Sequence, residues 1–150
     1  QALLSKTPSI LGLDGSQKMS KSRGNAIFLC STEDETASLI KKAKTDSERV
    51  ITYDPENRPE VANLLMLISL CTKEEPAAIA ERIGEKGSGE LKKVLAEALN
   101  EELRPLRQKR AELEKNPDYI RKVLLDGVEK ARAIAIKTLD EVREAMNMKI

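Results

Sequence analysis

The chain has 150 residues, enough for one compact domain and a short appendage, and its 40% hydrophobic content with only one Phe, two Tyr and no Trp calls for a core of Leu, Ile, Val and Ala. Charged residues reach 34% with both signs interspersed and a net charge of +1, which excludes a nucleic-acid binder that is strongly basic by bulk. The absence of His excludes Ser–His and Cys–His catalysis, and His-ligated zinc, within this chain. Cys30 and Cys71 lie far apart, match no metal spacing, and read as reduced, partly buried thiols. No metal site is expected. No run reaches the length of a membrane span and no signal peptide is visible, so a cytoplasmic location is expected. The chain begins without Met, inside what reads as a loop, which suggests a piece of a longer protein.

Residues 1–26 read as irregular, punctuated by Pro8, Gly12, Gly15 and Gly24. Positive charge gathers here: Lys6, Lys18, Lys21 and Arg23 stand against the single acid Asp14 within residues 1–30. The short apolar run Ala26-Ile27-Phe28-Leu29 reads as a brief strand.

From there on the pattern is helical. Ser31 or Thr32 can cap a first helix, with Glu33, Asp34 and Glu35 in its first turn and its end near Lys44. Residues 45–57, which include Asp54-Pro55, read as a connector. Tyr53 and Asp54 within it are expected to be packed rather than to bind a ligand. Asn57 is expected to cap a second helix, with Pro59 in its first turn and Glu60 at the capping-box position. Val61, Leu64, Leu65, Ile68 and Cys71 fall on one face of that helix. Thr72-x-x-Glu75 repeats the capping-box pattern for a third helix, which Gly84 ends.

A turn over 85–89 precedes a long amphipathic segment, Glu90 to about Lys115, whose apolar stripe is Leu91, Val94, Leu95, Ala98, Leu99 and Leu103. Pro105 lies inside it and is expected to kink or split it, because proline lacks an N–H and crowds the preceding turn. Asn116-Pro117 reads as a cap followed by Pro at the first helical position. The last helix spans about Asp118 to Met146, with apolar residues from Ile120 to Met146 at three- and four-residue steps. Gly127 inside it costs roughly 1 kcal/mol relative to Ala and suggests a close helix crossing. Residues 31–150 thus form five or six helices of a bundle-like all-α domain.

The stretch that carries chemistry is Gly12-Leu13-Asp14-Gly15-Ser16-Gln17-Lys18-Met19-Ser20-Lys21-Ser22-Arg23-Gly24-Asn25. It is a glycine-bounded loop with two lysines three apart and three serines. Mobile ammonium groups can follow a polyphosphate as its charge builds up, and hydroxyl and backbone N–H groups can hydrogen-bond its oxygens. The plain alternative is a solvated basic loop. A given five-residue string arises by chance in roughly one chain of this length in ten thousand, from average residue usage.

Lys18-Met19-Ser20-Lys21-Ser22 resembles the KMSKS signature of class I aminoacyl-tRNA synthetases. Gly12-Leu13-Asp14-Gly15 before it and Arg23-Gly24-Asn25-Ala26-Ile27 after it look like the tryptophanyl branch. So do Thr45-Asp46, Tyr53-Asp54-Pro55, Asn63-Leu64-Leu65, Leu103-Arg104-Pro105-Leu106-Arg107, Ala131-Arg132, Thr138-Leu139 and Val142. The resemblance covers essentially the whole chain.

It implies a mainly α chain. Residues 1–30 would end a Rossmann-like catalytic domain with its KMSKS loop, and residues 31–150 would form a helical, anticodon-facing C-terminal domain. It implies ATP-dependent activation of L-tryptophan and transfer to tRNA(Trp), with Mg2+ accompanying the ATP rather than held by protein ligands here, and a homodimer as the full-length enzyme. By motif position, Lys18 and Lys21 would stabilise the β- and γ-phosphates and the departing pyrophosphate. Ser20 and Ser22 would hydrogen-bond phosphate oxygens, and Met19 would pack near the adenosine. The family's HIGH-type motif and amino-acid pocket do not occur in these residues, so the chain by itself is expected to be inactive.

The resemblance also implies tRNA contact by the helical domain, for which Arg104, Arg107, Lys109 and Arg110 are the candidates. Alternating charges usually form a solvated helix face. Two arginines one turn apart can instead grip phosphates or stack on unpaired bases. The alternatives are the tyrosyl branch, which shares the loop, and a non-catalytic RNA- or protein-binding helical module.

Overall fold

The computed structural model describes residues 9–148. Pro8 and Lys6, read above from the sequence, lie outside them. Five α-helices follow an irregular N-terminal segment: α1 Glu33–Lys41, α2 Pro59–Thr72, α3 Pro76–Ile83, α4 Gly87–Glu114 and α5 Pro117–Ala145. The mainly α expectation holds. The expected strand over 26–29 does not form. Ala26 is buried, but Phe28 and Leu29 are exposed and close a turn, and the one extended pairing among the described residues is an isolated bridge between Leu11 and Lys18. A strand without a partner leaves its backbone unsatisfied, so the apolar run alone is not enough.

Helix ends are set in different ways. Thr32 caps α1 through a full capping box: its hydroxyl accepts from Glu35 N–H at 3.1 Å and the Glu35 carboxylate accepts from Thr32 N–H at 2.8 Å. The helix stops at Lys41, short of Lys44, because the Lys44 N–H is taken by the Leu13 carbonyl at 2.9 Å.

Asn57 does not cap α2. Asp54 organises that turn instead, accepting from the N–H groups of Glu56 and Asn57 and from the Asn57 carboxamide, and Arg58 holds the N-cap position ahead of Pro59. Glu60 turns away from the cap to pair with Lys44 at 2.8 Å. The Thr72-x-x-Glu75 box is also absent, because the Thr72 hydroxyl donates back to the Ile68 carbonyl inside α2. Glu75 precedes Pro76 at the start of α3 without a side-chain cap. Gly84 ends α3 as read from the sequence, but the expected turn over 85–89 is a short 3-10 turn after which α4 already starts at Gly87. Pro105 does not split α4, which runs through it.

The chain divides into two compact units, one through Arg107 and one from Gln108 onward. The first is closed by an aliphatic cluster that includes Leu13, Ile40, Ile51, Val61, Leu64, Leu65, Ile68, Ile79, Leu91 and Leu95. The α4 stripe is as expected: Leu91, Leu95 and Leu103 are buried, while Val94, Ala98 and Leu99 pack at the margin. α2 is buried over much of its circumference, Ala62, Asn63 and Leu67 included, and Cys71 is only half-buried. Tyr53 packs against the same core, as expected of a connector residue. Cys30, expected to be partly buried, is exposed, and both cysteines are free. In the second unit no residue of α5 is buried. A Cβ at Gly127 would meet nothing within 4 Å.

The connector over 45–57 is held by Arg58, whose side chain is 7% exposed. Its Nε and Nη2 donate to the Asp46 carboxylate at 2.7 and 2.8 Å, and its Nη1 donates to the Val50 carbonyl and the Thr52 hydroxyl at 2.7 Å. Such a fork satisfies a buried guanidinium only while all its acceptors are in place.

Arg58→Met should destabilise the first unit by about 3 kcal/mol in urea unfolding, because it strands the Asp46 carboxylate and two backbone-fixing acceptors. A loss under about 1 kcal/mol would show that the connector does not depend on this fork. The fork also sets a pH dependence. The Arg58 hydrogen bond holds the Asp46 carboxyl below its ordinary 3.8, and Lys44 does the same for Glu60. A carboxyl whose folded value is depressed contributes stability above its unfolded value, and that contribution is lost as pH falls through the folded value. The unfolding free energy should therefore be level from pH 7 to about 5 and fall below about 4. Asp46→Asn should flatten part of that fall.

Candidate functional site

Irregular backbone packed on a core needs acceptors and donors from its surroundings, and the loop segment obtains them in layers. At its base, Leu13 is buried in the aliphatic cluster, its N–H donates to the Asn25 carbonyl at 2.9 Å, and its carbonyl accepts from Lys44 N–H. From α2, the buried Asn63 carboxamide donates to the Gly12 carbonyl at 3.1 Å and the Leu11 carbonyl at 3.3 Å. Beyond the base a short ladder runs upward: Gly12 N–H donates to the Gln17 carbonyl at 2.7 Å, and Met19 N–H to the Ile10 carbonyl at 3.0 Å.

Above this base the motif residues emerge. Lys18 and Lys21 are exposed, Met19 and Ser20 half-buried, and Ser22 exposed. Ser20 is extended (φ −148°) and leads into a 3-10 turn over Lys21–Arg23, which Gly24 closes at φ +67°. The Ser20 and Ser22 hydroxyls lie 3.1 Å apart. The structure thus brings the five motif residues together on one protruding loop whose two ends are fixed.

One buried side chain ties the loop's two halves. The Asn25 carboxamide oxygen accepts from Ser20 N–H at 2.8 Å, and its nitrogen donates to the Asp14 carboxylate at 3.1 Å. That bond holds the Asp14 carboxyl below its ordinary value. Gly12 leaves the room this needs, since a Cβ there would lie 2.2 Å from the Asn25 nitrogen. Neither Asn25 nor Asn63 was assigned a role from sequence. The available signal for Asn63 was a lone carboxamide in the apolar run Ala62-Asn63-Leu64-Leu65.

Beside the loop base a cavity of about 360 Å3 is lined by Asp14, Asn25 and three cations, Arg23, Lys42 and Lys44. Together with Lys18 and Lys21 they make this end of the unit rich in positive charge, the setting in which a polyanion is held. Among the described residues no group of His, Cys, Asp or Glu is placed to hold a metal ion.

Each of the four residues considered for RNA contact is engaged by side chains of its own unit. Arg104 pairs with Glu101 at 2.6 Å and with Glu33 at 3.9 Å, at the edge of a groove of about 660 Å3 between α1 and α4. Arg107 donates to the Thr36 hydroxyl and the Asn100 carboxamide, both at 2.9 Å, with its Nε enclosed and unpartnered. Lys109 and Arg110, in the second unit, pair with Glu112 at 2.8 Å and Glu114 at 2.7 Å.

Residues 2–104 match the family model described as tRNA synthetases class I (W and Y). The chain is 42% identical to a tryptophan–tRNA ligase of Aquifex aeolicus over 99% of its own length, and 41% identical to one of Helicobacter pylori over 93%. It spans 38% and 43% of those relatives' lengths. A crystal structure of tryptophanyl-tRNA synthetase from Campylobacter jejuni complexed with ADP and tryptophan superposes with a TM-score of 0.76 at 28% identity, over 97% of this chain and 46% of that one.

Two loop glycines separate backbone strain from crowding. Gly15 (φ +69°) and Gly24 (φ +67°) share the left-handed conformation, but a Cβ at Gly15 would lie 2.9 Å from the Glu60 Cα, whereas one at Gly24 meets nothing within 4 Å. Gly24→Ala should cost about 1 kcal/mol in thermal or urea unfolding, and Gly15→Ala at least about 1 kcal/mol more, because backbone of α2 must move. Equal costs would mean that α2 does not brace the loop.

Proposed function

Because the chain belongs to the class I tRNA synthetase family that serves tryptophan and tyrosine, we propose that its residues 1–30 end a Rossmann-like catalytic domain and supply the phosphate-handling loop of a tryptophan–tRNA ligase. Residues 31–150 then form the helical domain that faces the tRNA. The observation that carries this reading is the placement of Lys18 and Lys21 in solvent on a loop whose base is buried and hydrogen-bonded to α2. A rigid base with mobile charged tips suits a ligand whose charge moves during reaction.

In the proposed reaction a carboxylate oxygen of L-tryptophan attacks the α-phosphorus of ATP. The new O–P bond forms as the bond from that phosphorus to the β-phosphate oxygen breaks, and pyrophosphate departs with the negative charge. The protein's task is positioning and charge stabilisation. Lys21 and Lys18 follow the β- and γ-phosphates, Ser20 and Ser22 hydrogen-bond their oxygens, and Met19 packs near the adenosine. The aminoacyl group then passes to tRNA(Trp). ADP and tryptophan in the Campylobacter relative support an adenine nucleotide and tryptophan as ligands of the whole protein. Magnesium arrives with the nucleotide.

Arg104, Lys109 and Arg110 have carboxylate partners at the surface, and such pairs are worth so little that an RNA phosphate displaces them cheaply. Arg107 is tied to α1 and would contact RNA in place. The full-length protein is proposed to act in the cytoplasm as a homodimer, with the amino-acid pocket in the portion that the relatives carry beyond these residues.

Joined to or mixed with a Rossmann-type N-terminal half, the chain should support tryptophan-dependent ATP–pyrophosphate exchange. Lys21→Ala should lower that rate on the order of 100-fold, the loss expected for one charge-stabilising donor. Exchange with tyrosine in place of tryptophan would move the assignment to the tyrosyl branch. An unchanged rate in Lys21→Ala would remove that lysine from the mechanism. RNA binding without exchange of either amino acid would leave a binding module.

A further inference from the structure

We propose that Asn25 is the positioning residue of the lysine-bearing loop: its carboxamide clamps Ser20 to Asp14 and so fixes the backbone from which Lys21 projects, an inference that rests on the function proposed above. Three observations converge on it. Asn25 is 6% exposed, although it lies next to an exposed loop, and both ends of its carboxamide are used. Its orientation is unambiguous, since Ser20 N–H can only donate and an ionised Asp14 can only accept. Gly12 is vacant where a Cβ would strike this carboxamide at 2.2 Å, so the base of the loop is shaped around it.

The clamp acts on one lysine more than the other. Lys18 is held by the short ladder through its bridge to Leu11, and Met19 by its bond to Ile10. Ser20 N–H, immediately ahead of Lys21, is held by Asn25. The 3-10 turn that follows carries two long backbone bonds of 3.3 Å, from Arg23 N–H to the Ser20 carbonyl and from Gly24 N–H to the Lys21 carbonyl, and the 3.1 Å contact between the Ser20 and Ser22 hydroxyls, none of which reaches outside the turn and Ser20. Freeing Ser20 therefore frees Lys21, while Lys18 keeps its anchor. Asn25 touches no substrate atom in this account; it restricts where the Lys21 ammonium can be.

The polarity of the clamp supplies its test. Asn25→Asp is nearly isosteric and still accepts from Ser20 N–H, but it sets a carboxylate against Asp14 about 3 Å away and opens the clamp. The double substitution Asp14→Asn/Asn25→Asp restores one donor and one acceptor between the same two positions and recloses it. In the complete enzyme, Asn25→Asp should lower the kcat of tryptophan-dependent pyrophosphate exchange about tenfold or more with the KM for tryptophan unchanged, and the double variant should recover to within about threefold of wild type.

Tryptic cleavage after Lys21 and Arg23 gives a readout that does not depend on activity. It should speed up about tenfold in Asn25→Asp and return to the wild-type rate in the double variant, with both proteins melting cooperatively. A wild-type protein that exchanges nothing would end the proposed function, yet the cleavage rates would still decide the clamp. If Asn25→Asp does not fold, the double variant decides: wild-type cleavage supports the clamp, and fast cleavage in a cooperatively melting protein overturns it. Failure of the swap to rescue while the fold persists, or a wild-type kcat in Asn25→Asp, also overturns it.

Discussion

The constraint on which this structure turns is the need to bury the backbone of an irregular segment without stranding its polar groups. Residues 10–26 have one isolated bridge and a three-residue 3-10 turn in place of a sheet or a full helix, yet Leu13 sits in the aliphatic cluster and must bring its peptide groups with it. Two carboxamides resolve this. Asn63 reaches out of α2 to the carbonyls of Leu11 and Gly12, and Asn25 closes the loop on itself. An apolar side chain at either place would leave buried donors or acceptors unmatched, at about 1–3 kcal/mol each. Everything exposed on the loop, its two lysines included, inherits its position from this buried base.

That base also explains how charge is distributed. The cations meant for solvent are left without close restraint at the tip, whereas those nearer the core are matched individually. Arg58 is saturated by Asp46, Val50 and Thr52, and Arg107 meets Thr36 and Asn100. The near-neutral net charge of the chain hides this separation. One population of charges holds the fold together and the other remains available to an anionic ligand.

Periodicity and glycine placement made much of this legible. The α4 stripe, the Asn116-Pro117 cap and the Gly84 stop all stand, because each is decided by residues within one or two turns of it. The motif string marked the loop on which Lys18 and Lys21 stand exposed. The misreadings have different causes: a tertiary partner, a bond within the same helix, or a missing neighbour. Glu60 had a helix end to serve and took Lys44. Thr72 fitted a cap and bonded back to Ile68. Pro105 fitted a break and was carried through by α4. The run from Ala26 to Leu29 had the composition of a strand and no neighbour to pair with. Asn25 and Asn63 could be seen as residues but not as partners, since their acceptors lie up to 52 positions away.

The close approach of Asn25 to Gly12 has a further consequence, for how such a loop can evolve. Position 12 and position 25 occupy one volume between them, so neither is free to drift alone. A lineage that enlarges the residue at 12 must shrink or withdraw the one at 25, passing through an intermediate in which the loop is either strained or unlatched. The two sites are therefore expected to covary among relatives, and a pair that departs from glycine and asparagine should mark a branch in which the lysines are held in some other way.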